Sequence, residues 1–126
     1  MYNRLWRNIF VFTVWIMLAF CSVTKTNAQA VQSELSGIVK DESGFALSGA
    51  KILISEIHTN QSYSIKTTSS GNFNISNLKP GTYTITVEVP GFKKFVQTGV
   101  QILTGERVNI NALLSTGDIN EVIIIK

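Results

Sequence analysis

Between Thr82 and Val89 the chain reads Thr-Tyr-Thr-Ile-Thr-Val-Glu-Val, with a large apolar side chain at every odd position and a polar one at every even position. On a helix, Tyr83, Ile85, Val87 and Val89 would scatter round the cylinder; on a pleated strand they line one face. Threonine and valine at nearly every site favour that pleat. This segment is a half-buried strand, and the rest of the chain has to supply the layers that bury it.

The same logic marks further strands at 34–40, 50–57 (Ile52 and Ile54 inward), 62–68, 72–77 (Phe73 and Ile75 inward), 93–103 and 107–114 (Val108, Ile110 and Ala112 on one face). About seven short strands at regular spacing predict an all-β fold, an antiparallel sandwich or barrel. No segment after residue 30 carries a 3.6-residue period, so parallel α/β folds are excluded.

Turn chemistry separates the strands. Lys79-Pro80-Gly81-Thr82 and Val89-Pro90-Gly91-Phe92 each place Pro and then Gly at the centre of a turn. Proline presets φ near about −65° and glycine accepts the positive φ that a type II turn requires next. Ser70-Gly71-Asn72 reads as a tight hairpin, and Gly99, inside a strand pattern, marks a bulge or bend. Asp41, with Ser43-Gly44 behind it, closes an Asx-type turn; two adjacent acids supply too few oxygens for calcium.

The first 30 residues have the layout of a secretory signal peptide. Arg4 and Arg7 precede an apolar run from Ile9 to Val23, and Ala28-Gln29-Ala30 closes it, with cleavage expected after Ala28 or Ala30. Thr13, Ser22 and Thr24 interrupt or end the run, whereas a spanning helix needs ~20 apolar residues. Cys21 is the single cysteine, and the bulky Phe20 before it argues against a lipid-attachment site. Beyond residue 30 the eight basic residues are matched by eight acidic ones. That part of the chain therefore has no long-range field to draw it onto nucleic acid.

No enzyme chemistry can be assembled from these residues. His58 is the single histidine, too few for a metallocarboxypeptidase-type zinc site. No second histidine exists to activate a serine or threonine, and no phosphate-cradling glycine motif is present. The expected catalytic, cofactor and metal sites are therefore none. Among the aromatics, Phe73 and Tyr83 fall on buried faces, while Phe92 and Phe95 flank Lys93-Lys94 in a turn region and are the candidates for stacking on a sugar ring.

After the last sandwich strand, residues 116–126 form a linker and a tail. Asp118-Ile119-Asn120 leads into Glu121-Val122-Ile123-Ile124-Ile125, a strand-prone apolar run. Such a run needs a pairing partner, because an unpaired apolar strand invites aggregation. Either it zips onto the sandwich edge or it begins a segment that lies beyond Lys126.

Three blocks, read together, resemble the carboxypeptidase regulatory-like domain, a prealbumin-like sandwich in a fold group shared with carbohydrate-binding modules. They are Ser36-Gly37-Ile38-Val39-Lys40-Asp41 with Gly44, Leu47, Gly49 and Ala50; Thr67 to Ile75; and Leu78-Lys79-Pro80-Gly81-Thr82-Tyr83-Thr84-Ile85. The resemblance implies an all-β module, a seven-stranded antiparallel Greek-key β-sandwich, spanning 31–115. It further implies a setting at the N-terminus of a TonB-dependent outer-membrane receptor, with Glu121 to Ile125 similar to the TonB-box region. On that reading the chain is an exported fragment of a transporter, in the periplasm or outer membrane of a Gram-negative bacterium. Its partners would be envelope proteins, TonB or a barrel among them, with membrane contact only through downstream domains. The alternative is a freestanding secreted or periplasmic module that binds carbohydrate or protein.

Overall fold

The computed structural model describes residues 3–19 and 32–126. The chain divides into two compact units, Met1–Ala30 and Val31–Lys126. In the first, Asn3–Ala19 is a helix (α1). Among the described residues no helix is long and apolar enough to cross a membrane. Cys21 and the cleavage positions after Ala28 and Ala30 lie outside the described residues.

The second unit holds eight strands: β1 (Glu34–Asp41), β2 (Lys51–Glu56), β3 (Ser62–Lys66), β4 (Asn72–Ser76), β5 (Gly81–Glu88), β6 (Lys94–Ile102), β7 (Arg107–Leu114) and β8 (Val122–Ile125). They form a three-stranded sheet ordered β4-β1-β7 and a five-stranded sheet ordered β3-β2-β5-β6-β8. The expected wholly antiparallel, seven-stranded arrangement is thereby corrected in two respects. The tail adds an eighth strand, and two ladders are parallel, β1 with β7 and β6 with β8. Between β6 and β8 the chain passes through the other sheet as β7, and a strand reached after two crossings can return pointing the same way. Alternation of side chains carries no information about that direction.

The two sheets bury one apolar layer between them. Leu35 and Val39 of β1, Ile52 and Ile54 of β2, Tyr83, Ile85 and Val87 of β5, and Ile102 of β6 are fully enclosed. From β7, Ile110, Ala112 and Leu114 close the other side. Neither β3 nor β8 contributes a buried residue, because a three-stranded sheet cannot cover both margins of a five-stranded one. Burial at roughly 25 cal/mol per Å² makes this layer the dominant stabilising contribution.

Two glycines behave differently from each other. Gly91 takes φ +84° and Phe92 N–H donates to the Val89 carbonyl at 3.1 Å, the turn expected from Pro-Gly. Gly81 does not adopt positive φ: it opens β5, and Asn77 takes the left-handed conformation instead (φ 63°). Gly81 is small because a Cβ there would stand 3.0 Å from Glu56 Cγ. At Gly99 (φ +71°) the β5–β6 register slips between Tyr83 and Ile85, which is the bulge the sequence implied.

Candidate functional site

The tail is the part of the chain that the sandwich does not need for its core. After β7, the linker wraps over the β5–β6 turn: Lys93 N–H donates to the Ser115 carbonyl at 2.9 Å and Gly117 N–H to the Gly91 carbonyl at 3.1 Å. Gly117 lies so close that an added Cβ would sit 2.7 Å from the Lys93 side chain. Lys94 N–H then donates to the Glu121 carbonyl at 2.8 Å, and Lys93 Nζ pairs with Glu121 Oε2 at 2.9 Å. Glu121 holds the Lys93 ammonium above the usual lysine range by hydrogen bond and charge.

This clasp lays Val122 to Ile125 in register against Lys94 to Gln97. Of the two fates open to the tail, it has zipped onto the sandwich edge. Because β8 ends the sheet order, its outer backbone groups face away from any strand of the described residues. Its side chains stay open too: Val122 is 49% exposed, Ile124 61% and Ile125 41%, while Ile123 is half-buried. An apolar strand with a free hydrogen-bonding edge is a template for another strand.

The aromatic candidates fare less well. Phe95 is 2% exposed and sits in the core, so it has no ring face to offer a sugar. Its placement as an exposed stacking residue is therefore wrong; in the ladder it lies opposite Val87 and Ile123, on the inward side of β6. Phe92 is half-buried and packs against the same core. Among the described residues of the second unit, the aromatic that stands free is Phe45, which occupies the Asp41 turn. Asp41 Oδ1 there accepts the N–H groups of Ser43 and Phe45, both at 2.9 Å, as an Asx-type turn requires.

One charged group was missed in the sequence. Glu56 continues the inward alternation of Ile52 and Ile54 and is buried at the end of β2. Its carboxylate accepts the N–H of Thr59 at 2.6 Å, of His58 at 2.9 Å and of Thr82 at 3.4 Å. His58 Nδ1 stands 3.2 Å from it, so His58 has a partner after all, although its ring remains exposed. The Thr59 hydrogen bond, with those of His58, outweighs burial and lowers the Glu56 pKa to about 2. Together with Lys79, Gly81 and Tyr83 the pair lines an open cleft of about 530 Å³. The Tyr83 hydroxyl donates to the Lys79 carbonyl at 2.8 Å, and burial raises its pKa above the usual value. The carboxylate is spent on backbone donors: it fastens the β2–β3 turn to the start of β5. Among the described residues no three His, Cys, Asp or Glu side chains converge to hold a metal ion.

The geometry defines a two-layer β-sandwich module with a strand appended at one edge. The chain belongs to the carboxypeptidase regulatory-like domain family, whose profile matches residues 34–115. That span takes in β1 to β7 and stops short of β8. No curated protein matches the chain. Among solved structures it is similar to the Bacillus anthracis TIE protein, at 20% identity and TM-score 0.57, covering 68% of this chain and 16% of that one. A candidate carbohydrate-binding protein from Bacteroides uniformis ATCC 8492 matches at 16% identity and TM-score 0.54, covering 65% and 40%. Hydroxyquinol 1,2-dioxygenase from Pseudomonas putida DLL-E4 matches at 9% identity and TM-score 0.54, covering 72% and 58%. At such identities the likeness is one of fold, and the chain spans less than two thirds of each of these proteins.

Proposed function

We propose that the chain is a non-catalytic, exported docking module, the N-terminal accessory domain of a TonB-dependent outer-membrane transporter. In that setting it works as a folded spacer in the periplasm, and its TonB-box-like tail presents an edge to an envelope partner. One observation carries the reading: β8 lies outside the family's own span yet is held in extended form at the sheet margin, with its apolar side chains open. Main-chain pairing needs only such an extended edge. The α1 segment and the cleavage positions behind it serve as the export signal. A regulatory-like family and a buried carboxylate occupied by backbone donors both speak for a module without a reactive centre.

Two measurements test this. Reading the coding sequence past Lys126 should reveal a plug and barrel in frame; a stop codon there would contradict the transporter setting. Titrating the periplasmic domain of TonB with residues 31–126 should give binding that Ile124→Pro abolishes, since proline at a strand edge removes a ladder donor. Equal binding by both forms would contradict docking through β8.

A further inference from the structure

The outer faces of the two sheets differ in composition. On the five-stranded sheet the outward positions mix Ser55, Ser62, Ser64, Thr84 and Thr86 with the apolar Leu53 and Val96, and lysines stand near the ends. On the three-stranded sheet four of the outward positions are asparagines. Asn74 and Asn109 flank Ser36 in one row, and Asn72 and Asn111 flank Ile38 in the next. Asparagine is depleted in strands, because its amide competes for backbone groups. Four of them on two strands cost sheet stability, and the strands of the companion sheet carry none. Departures of this kind from local preference cluster at functional sites.

The fold makes little use of these amides. Asn74 donates to Glu34 and Asn109 donates to Ser36 Oγ at 3.2 Å. Among the described residues the side chains of Asn72 and Asn111 are committed to nothing. Together with Gly37 and Thr68 the six residues line a shallow depression of about 420 Å³. That volume falls within the range of small-ligand sites, ~300–1,000 Å³.

The chemistry selects the ligand class. Each amide offers two donors and one acceptor oxygen without charge. The lining has no basic residue to attract an anion and no acid to hold a cation; the Glu34–Arg107 pair, 3.6 Å apart, lies one row beyond it. A purely apolar ligand would strand the amides. Ile38, half-buried between Asn72 and Asn111, supplies an apolar floor of modest size. Neutral hydrogen-bonding groups around a small apolar floor match a molecule with hydroxyls at its rim and C–H groups on its face. We propose that the β4-β1-β7 face is a binding site for a neutral saccharide, held by Asn72, Asn74, Asn109 and Asn111 over Ser36 and Ile38. This site is separate from the β8 edge and stands or falls independently of the docking reading.

Among the described residues, every buried core side chain lies within 32–126, so residues 31–126 carry their own core. This piece is screened on a glycan array, and oligomers of glucose, mannose, galactose, xylose and N-acetylglucosamine are titrated into it while the asparagine side-chain amide signals are followed by NMR. The expected result is that at least one neutral oligosaccharide shifts the signals of Asn72, Asn74, Asn109 and Asn111 and leaves those of Asn60 and Asn77 in place. Asn72→Ala and Asn111→Ala each weaken that binding roughly fivefold to tenfold, whereas Ser64→Ala on the other sheet does not. Because both asparagines are exposed, their replacement leaves the fold intact, and the spectra of the variants check this. Binding of no array member, or shifts as large at Asn60 and Asn77 as at the four, would overturn the proposal. So would unchanged affinity in both asparagine variants.

Discussion

Replacing Phe95 by alanine separates a core ring from a ligand-stacking ring. The side chain is 2% exposed, on the inward side of β6, with Val87 and Ile123 as its ladder neighbours. Deleting such a ring removes its transfer free energy and leaves a cavity that rigid sheets fill poorly, about 3–5 kcal/mol in all. In a domain of roughly 100 residues each 1 kcal/mol moves Tm by about 4–8 °C, so the expected fall is about 12–40 °C. Thermal melts of residues 31–126 followed by circular dichroism measure it, with Phe92→Ala as the internal comparison. Phe92 is only half-buried, and its loss should cost about 1–2 kcal/mol. Should Phe95→Ala lie at the stability limit, Phe95→Leu keeps the comparison measurable with a smaller fall of the same sign. A Tm for Phe95→Ala within about 4 °C of the parent would refute the placement of the ring in the core.

Two further outcomes follow from the geometry. Gly37→Ala puts a methyl 1.8 Å from the Ile110 carbonyl oxygen and 2.6 Å from the Phe73 ring. Backbone on one side and core on the other leave it nowhere to go, so the β1–β7 ladder must part, at about 3 kcal/mol or more; an unchanged melting curve would contradict the ladder. Glu56→Gln probes acid stability. The Glu56 pKa is lowered from 4.5 to about 2, so its contribution is present above 4.5 and is lost as pH falls from 4.5 toward 2. The difference in Tm between parent and variant should close across that interval, and a gap that stays constant with pH would rule out the turn-fastening role.

What the sequence disclosed, and what it hid, has a physical pattern. β5 was legible because its neighbours on both sides are strands of one sheet, so each alternate residue meets either core or solvent. β6 was less so. Its bulge at Gly99 inserts one residue, and the buried set changes parity from Phe95 to Val100 and Ile102. Read without that shift, the Lys93-Lys94 pair dominates and Phe95 looks like part of a turn. Glu56 was detectable in principle as the third inward position after Ile52 and Ile54, but a carboxylate there reads as the end of the strand until the free N–H groups of the following turn are seen. The asparagine face was visible only after register was known, since Asn72 and Asn111 are far apart in the chain and two strands apart in the sheet. The apolar tail announced its need for a partner; that the nearest partner is β6, in parallel, depends on the path through β7.

Amide hydrogen exchange across Val122 to Ile125, with and without the periplasmic domain of TonB, tests the proposed docking edge itself. Successive amides of a strand point to opposite sides, so those facing β6 should be protected in the free protein and those facing outward should exchange freely. On adding the partner, the outward amides of β8 are predicted to become protected while the inward ones keep their protection. Outward amides that go on exchanging at the free rate in a saturated complex would show that the partner binds elsewhere, and the account of β8 as the docking edge would be wrong.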